Sequence, residues 1–478
     1  MLIILNLGKE VIHMTEKQQE LFESKSVWNA IFTMAVPAMV TMVVMILYNM
    51  ADMYFVGRTG DTVQVAAVSL VGPVFSIMMA IGSMLGGGAC ALIAKTLGEK
   101  NTEEVHLYSS LCCWGGICFG VIFGGVVLLL REPLLTFLGS NAEMRPYASV
   151  YLTVLAMGAP IMIFASAGGN ILRAEGAVKQ SMFSSLLSTV TNIILDPIFI
   201  LVLKLGVGGA AIATVIGNAL AAVYLIIYFR KGKSSLRVHP KFAMQKPWKI
   251  MKIVAIGLPN LVSSTLVGFA GAFANQLLVQ YGTIAVAAMA AAGKSTMMIS
   301  MLQMGLTMGI QPLMAYSYGA EDLDRLKEII KKIAILTIGI GLVVSVTCFV
   351  GSKTAISLFL KDPQALELGQ KMIRLLVLSG PFLGLYYICS NFLQASGNAK
   401  VATFTSLLRQ GIFLIPLLYI MNYFFGVTGN ICAHLTADIT ASLLAGALAI
   451  RQYRKLKSEI GVREPLNGKE TARKQILN

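Results

Sequence analysis

Charge is scarce in this chain. Asp, Glu, Lys and Arg make up 13% of its 478 residues, about half of the ~25% usual in soluble domains. The mean hydropathy is correspondingly high, +0.74. No polar stretch long enough to build a soluble domain interrupts residues 28–450, which excludes a large extramembrane catalytic or binding domain. Histidine is rarer still: His13, His106, His239 and His434 lie far apart and form no metal-ligand cluster. Cys90, Cys112, Cys113, Cys118, Cys348, Cys389 and Cys432 all sit in apolar runs without redox or metal spacing, so they read as small buried hydrophobes. Gly86-Gly87-Gly88 lacks the following Lys-Ser/Thr and the preceding strand of a phosphate loop, which excludes an ATP site. No nucleophile, base or metal set is paired at membrane depth, so a membrane-embedded enzyme is not expected.

Acids are scarcer than bases, 23 against 38, leaving a net charge of +15. The excess does not spread as a nucleic-acid-binding face would. It clusters in residues 230–252, at Arg325, Lys327, Lys331 and Lys332, and from Arg451 onward, all short segments flanking apolar runs. Retention of positive residues on the cytoplasmic side of a membrane accounts for that pattern.

What the chain has in abundance is apolar runs long enough to cross a hydrocarbon core of about 30 Å. Spans are predicted at 28–54, 63–93, 106–130, 147–172, 178–204, 208–229, 250–280, 285–318, 327–350, 369–394, 399–424 and 428–450. The expected class is an all-α polytopic membrane protein with about twelve transmembrane helices. An even number puts both termini on one side, and the basic connectors then fall on that same, cytoplasmic side. Met1–Leu7 is too short for a cleavable signal and no small-residue cleavage site follows it; Met14 reads as an alternative start.

The second half repeats the first about 221 residues later. Ala35-Val36-Pro37 returns as Gly257-Leu258-Pro259, and Val65-Ala66-Ala67 as Val286-Ala287-Ala288. Asn170-Ile171-Leu172-Arg173-Ala174-Glu175-Gly176 returns as Asn391-Phe392-Leu393-Gln394-Ala395-Ser396-Gly397, and Gly206-Val207-Gly208-Gly209 as Gly426-Val427-Thr428-Gly429. The expected organisation is a cytoplasmic segment 1–27, a lobe 28–230, a linker 231–249 carrying Pro240 and Pro247, a lobe 250–452 and a basic cytoplasmic tail 453–478. With six spans each, the lobes should share orientation and be related by a pseudo-two-fold axis along the membrane normal. Duplicated helical halves are a common build of secondary transporters, with the substrate path between them.

Most acids avoid the predicted spans, because a carboxylate at a helix centre costs about 2.5–3.5 kcal/mol on insertion scales. Asp52, Asp196 and Asp438 do not. Asn192 and Asp196 are four apart and share a helical face. Pro197 has no N–H to give, which frees the Ile193 carbonyl one turn earlier. A carboxylate, an amide oxygen and a freed carbonyl suit a hard cation, and the same desolvation would raise proton affinity. The set reads as a coupling-ion site, the alternative being an acid that satisfies a proline-kinked helix. Asp52 also admits an interfacial structural role, and Asp438 a polar contact with Thr436 or Thr440. Second-lobe counterparts of the first two acids are apolar, Ala274 and Ile415, so the acids serve a task of the first lobe. Matched prolines, Pro37 with Pro259 and Pro197 with Pro416, predict shared kinks. A methionine stripe at Met297, Met298, Met301, Met304 and Met308 reads as packing or lipid contact before ligand lining.

Pro37, Asn49 to Asp52 with Val56-Gly57, Val65-Ala66-Ala67, Gly98, Arg173-Ala174-Glu175-Gly176, Asn192-Ile193-Ile194-Leu195-Asp196-Pro197 and Gly208 to Thr214, in that order, resemble the multidrug and toxic compound extrusion (MATE) family. The resemblance runs from Trp28 to Arg454. It implies two six-helix lobes around a V-shaped cavity and antiport of amphipathic, often cationic compounds against H+ or Na+, across a bacterial plasma membrane. It also implies a coupling-cation site at Asp52, Asn192, Asp196 and Thr214, and a substrate cavity lined by Asn170 and Met45, with Asn275 and Gln276 on the second lobe. In the second lobe Asn275, Gln276 and Asn391 stand where some branches carry acids, which argues against a second ion site there. No cofactor beyond H+ or Na+, no nucleic acid, membrane lipid as surroundings and function as a monomer are expected. The rival is a lipid-linked saccharide flippase of the wider superfamily, which would want an arginine-lined cavity where this sequence places acids.

Overall fold

The protein is described by a computed structural model covering residues 16–24, 26–57, 62–231, 234–357, 360 and 362–476; side chains at 16–17, 49–57, 62 and 461–476 are not described. The first lobe contains α2 (Val27–Gly57), α3 (Thr62–Gly98), α4 (Thr102–Leu129), α6 (Arg145–Ala174), α7 (Val178–Pro197) and α8 (Gly206–Arg230), preceded by a short α1 (Glu16–Glu23) and interrupted by α5 (Arg131–Phe137). A linker with α9 (Pro240–Gln245) leads to α10 (Ile250–Val279), α11 (Thr283–Gly319) and α12 (Leu323–Val350). Then follow α13 (Ser352–Ser357), α14 (Pro363–Leu376), α15 (Gly380–Ala395), α16 (Ala399–Leu407) and α17 (Ile415–Ile476). Polar side chains close the helix starts where the chain leaves the apolar layer. Asn101, Asp322 and Asn398 accept from the backbone N–H of Glu104, Arg325 and Val401, giving the first turn a partner it lacks.

Eleven helical stretches among the described residues are long and apolar enough to cross a membrane. The last runs from Ala399 to Ile460 and is broken at Gly426, where φ is +57°. Its repeat mate Gly206 has φ +54°, so the same left-handed residue, cheap only for glycine, starts the last span of both lobes. Counting the two sides of that break gives the twelve expected spans. In the basic tail α17 continues as helix through residues 453–476.

The repeat predicts how the lobes meet. If a two-fold exchanges α2 with α10 and α3 with α11, then α3 against α10 and α2 against α11 are one contact seen twice, and α3 against α11 lies on the axis. These are the helix pairs that join the lobes. A Cβ on Gly88 would strike the Ile253 carbonyl, and one on Gly257 the Met84 carbonyl. The mates of that pair are Gly309 and Ala35, and a Cβ on Gly309 would lie 3.1 Å from the Ala35 Cα. On the axis, Gly98 faces Tyr316 and Ala320 while Gly319 faces Lys95, a reciprocal contact between positions about 221 residues apart. Absent side chains let the backbones approach, the usual device of helix packing in lipid.

α1 and Tyr453 of α17 lie at this joined end. Phe22 of α1 stacks on Tyr316 at 4.7 Å, the Tyr316 hydroxyl donates to Glu23 at 2.8 Å, and the Tyr453 hydroxyl reaches the Leu323 carbonyl. Inter-lobe contacts run along Met34 to Met42 of α2 and Ser83 to Lys95 of α3. Farther along the same helices, Met45, Asn275, Gln276 and Lys294 are exposed. The described contacts thus close one end of a V.

Candidate functional site

Asn192, Asp196 and Thr214 converge inside the first lobe. α7 packs on α8 and α2, and the three side chains are 2%, 0% and 5% exposed. The four-residue spacing puts Asn192 one turn below Asp196. Turned so that its amide Nδ2 donates to Asp196 Oδ2 at 3.0 Å, Asn192 accepts through Oδ1 from the Thr214 hydroxyl at 3.1 Å and the Thr214 backbone N–H at 3.0 Å. The Thr214 hydroxyl also lies 3.0 Å from the Ala210 carbonyl, and Asn218 donates to the Thr214 carbonyl at 2.9 Å. Past Pro197 the helix widens into a π-type turn, Ile198–Val202. Such turns loosen the backbone ladder and recur at functional sites. The arrangement is a buried carboxylate bonded to an amide that is itself bonded to a hydroxyl, a set of groups that suits a proton or a hard cation.

The other expected residues are placed differently. Asp52 lies on α2, which packs against α7, but its side chain falls outside the described residues. Asn170 is 9% exposed and sits against Gly86 of α3; its amide donates to the Ser166 carbonyl at 2.7 Å and accepts from Arg173. It stands where α6 crosses α3. Met45, Asn275 and Gln276 are exposed. In the methionine stripe, Met297 and Met298 are exposed while the other three are half-buried.

Asp438 does not serve Thr436 or Thr440. Its Oδ1 accepts from Arg409 Nε at 2.8 Å, and both side chains are nearly buried. The Arg409 guanidinium lies 4.9 Å from the Tyr386 ring and 5.6 Å from the Tyr387 ring, close enough for cation–π attraction. Arg409 stands in a second π-type turn, Leu408–Leu414. The expectation that intramembrane charge is acidic is therefore corrected: the second lobe holds a neutral ion pair, and Arg173 is buried in the first. Arg409 inside a predicted span was the available signal, and its partner 29 residues away gives no local pattern.

The linker, too, departs from a plain surface loop. Glu175, at the end of α6, is fully buried and accepts from the Tyr228 hydroxyl (3.1 Å), the Ser234 hydroxyl (2.9 Å) and the Ser235 N–H (2.9 Å) and hydroxyl (2.8 Å). The Ser109 and Ser110 hydroxyls donate to the Arg237 carbonyl at 3.0 and 2.8 Å. The Arg-Ala-Glu-Gly motif thus fastens the linker to the first lobe, while its mate Ser396 has no carboxylate to do so.

Twelve spans in two reciprocal repeats, with a carboxylate buried in one of them, define a duplicated polytopic helical membrane protein. The sequence model of the MatE family matches residues 37–198 and again 259–420, once per lobe. The chain belongs to that family. The multidrug export protein MepA of Staphylococcus aureus (strain NCTC 8325 / PS 47) is 34% identical over 433 residues, 90% of this chain and 95% of that protein. MepA of Staphylococcus saprophyticus is 31% identical over 432 residues, with the same coverages of 90% and 95%. Among solved structures, MATE in complex with MaD3S superposes with a TM-score of 0.88 at 24% identity, covering 93% of this chain and 99% of that one. The outward-facing conformation of a multidrug resistance MATE family transporter of the MOP superfamily gives 0.85 at 24% identity, covering the same 93% and 99%. At that identity the likeness is one of fold.

Proposed function

We propose that this protein exports amphipathic, often cationic compounds from a bacterial cell in exchange for H+ or Na+, by alternating access of its two lobes. The observation that carries the reading is the buried Asp196, held by Asn192, itself bonded to Thr214. Neutralising a carboxylate inside a helical lobe changes the energy of burying it, and a transporter uses such a change to favour one lobe arrangement. Asn192 is the sensor of that change. Its Nδ2 suits the ionised acid, whereas a proton or Na+ on Asp196 calls for the amide oxygen in the same place. Asp52 belongs to the same proposed site because its helix packs on α7.

The basic joined end is assigned to the cytoplasm, with both termini there, because Lys and Arg are retained on that side. The V then opens outward, and the exposed Met45, Asn275 and Gln276 are assigned to the substrate cavity. The protein works as a single chain with no cofactor besides the coupling ion. Asp196→Asn tests the reading: efflux of a fluorescent cation from cells should be abolished while the protein is still made and inserted. Undiminished efflux by that variant overturns the site assignment.

A further inference from the structure

At the joined end of the lobes, where Tyr453 meets the start of α12, a groove of about 870 Å³ lies between α12, α15 and α17. Its walls are apolar, with Leu385 and Phe392 on α15 and Leu443 and Ile450 on α17, the last two being 63% and 55% exposed. Small residues hollow it out. Gly446 faces the opening, and a Cβ built there would meet nothing within 4 Å.

Four cations rim this one groove: Lys327 and Lys331 from α12, Arg454 and Lys457 from α17. All four are exposed, no Asp or Glu among the described residues lines the groove, and none of the four is ion-paired with a described carboxylate. Their neighbours behave differently. Lys332 pairs with Glu328, Lys455 with Glu459 at 3.8 Å, Lys95 with Glu99 at 3.7 Å, and Lys246 with Glu103 at 2.9 Å. Basic residues at a span end that merely mark topology have no reason to converge, unbalanced, on the mouth of an apolar slot. The volume is that of a ligand site, and cation clusters above apolar clefts between spans are suited to anionic lipid head groups.

The geometry points to a binding site for an anionic phospholipid of the leaflet at this end, its phosphate held by Lys327, Lys331, Arg454 and Lys457 and its acyl chain lying along Leu443 and Ile450. A drug cation is disfavoured by the same four charges. The site is separate from Asp196, and its test does not read transport.

The purified full chain is incubated with equimolar phosphatidylglycerol and phosphatidylcholine of identical acyl chains, and retained lipid is counted by native mass spectrometry. The wild type should retain phosphatidylglycerol preferentially. Neutralising the rim one residue at a time, Lys327→Gln, Lys331→Gln, Arg454→Gln and Lys457→Gln, should weaken retention roughly fivefold per charge. Gly446→Leu, whose Cβ enters open space and which leaves every charge in place, should abolish the same retention. Equal retention of the two lipids, or full retention by the charge variants, overturns the proposal. Retention lost on neutralisation but unchanged in Gly446→Leu also overturns it, leaving surface electrostatics alone. Efflux by any of these variants bears on the exchanger reading, so the two stand or fall separately.

Discussion

Arg409 and Asp438 illustrate what burying a charge requires. Each alone would be an uncompensated ion in a low-dielectric layer, and the pair persists because the 2.8 Å bond and two tyrosine rings replace water around the guanidinium. Removing one partner is therefore far worse than removing both. Asp438→Ala should destabilise the second lobe by about 3–5 kcal/mol, whereas Arg409→Met combined with Asp438→Leu should recover most of that loss. Thermal unfolding in detergent measures both. A single variant as stable as wild type means that the pair is not holding the Leu408–Leu414 turn against α17. Asp196 is bonded differently: the Asn192 amide donates to it, and that amide in turn accepts from Thr214.

At the scale of elements, the linker and the lobe crossings are where single changes reach furthest. Burial pushes the Glu175 carboxyl above its ordinary range, while the serine and tyrosine hydrogen bonds oppose the rise. A carboxyl raised in the folded state lends stability that is complete below its unfolded value of about 4.3 and is lost as pH climbs through the folded value. Stability of the wild type relative to Glu175→Gln should accordingly fall as pH rises across that window; a flat difference means no shift exists. Glu175→Ala strands the Ser235 N–H and should cost about 1–3 kcal/mol. Spans, repeat and the Asn192–Asp196 face were legible because hydropathy, self-similarity and four-residue spacing are local patterns. Thr214 entered only through family resemblance. The burial of Ser235 and Leu236 was not legible, since Pro240, Pro247 and dense charge read as surface. Nor was the Arg409 pairing, whose partner lies 29 residues on, beyond the break at Gly426, and leaves no local pattern.

The whole molecule adds a constraint that neither lobe has alone. Because the lobes touch where glycines meet opposing backbone, Gly88 against Ile253, Gly257 against Met84, Gly98 against Tyr316 and Gly319 against Lys95, closing this end requires backbones within van der Waals reach. Gly257→Val places a branched side chain against the Met84 carbonyl, backbone that cannot swing aside. The lobes should then fail to close at the terminal end, and the opposite end should lose its opening. With the native cysteines replaced, Asn275→Cys should react with a membrane-impermeant thiol reagent added from outside; adding Gly257→Val should suppress that reaction severalfold while efflux collapses. Reactivity unaffected by Gly257→Val means that the crossing is not the gate. The same background separates the coupling ions. Inward movement of one charge is worth about 2.3 kcal/mol per 100 mV, so the gradient that drives the cycle must also shift the balance between the two closures. If protons are the driver, collapsing the proton gradient should change Asn275→Cys labelling and removing Na+ should not; if Na+ is the driver, the pattern reverses. Asp196→Asn should abolish the response to either ion, and a response that survives it places the coupling elsewhere than the first lobe.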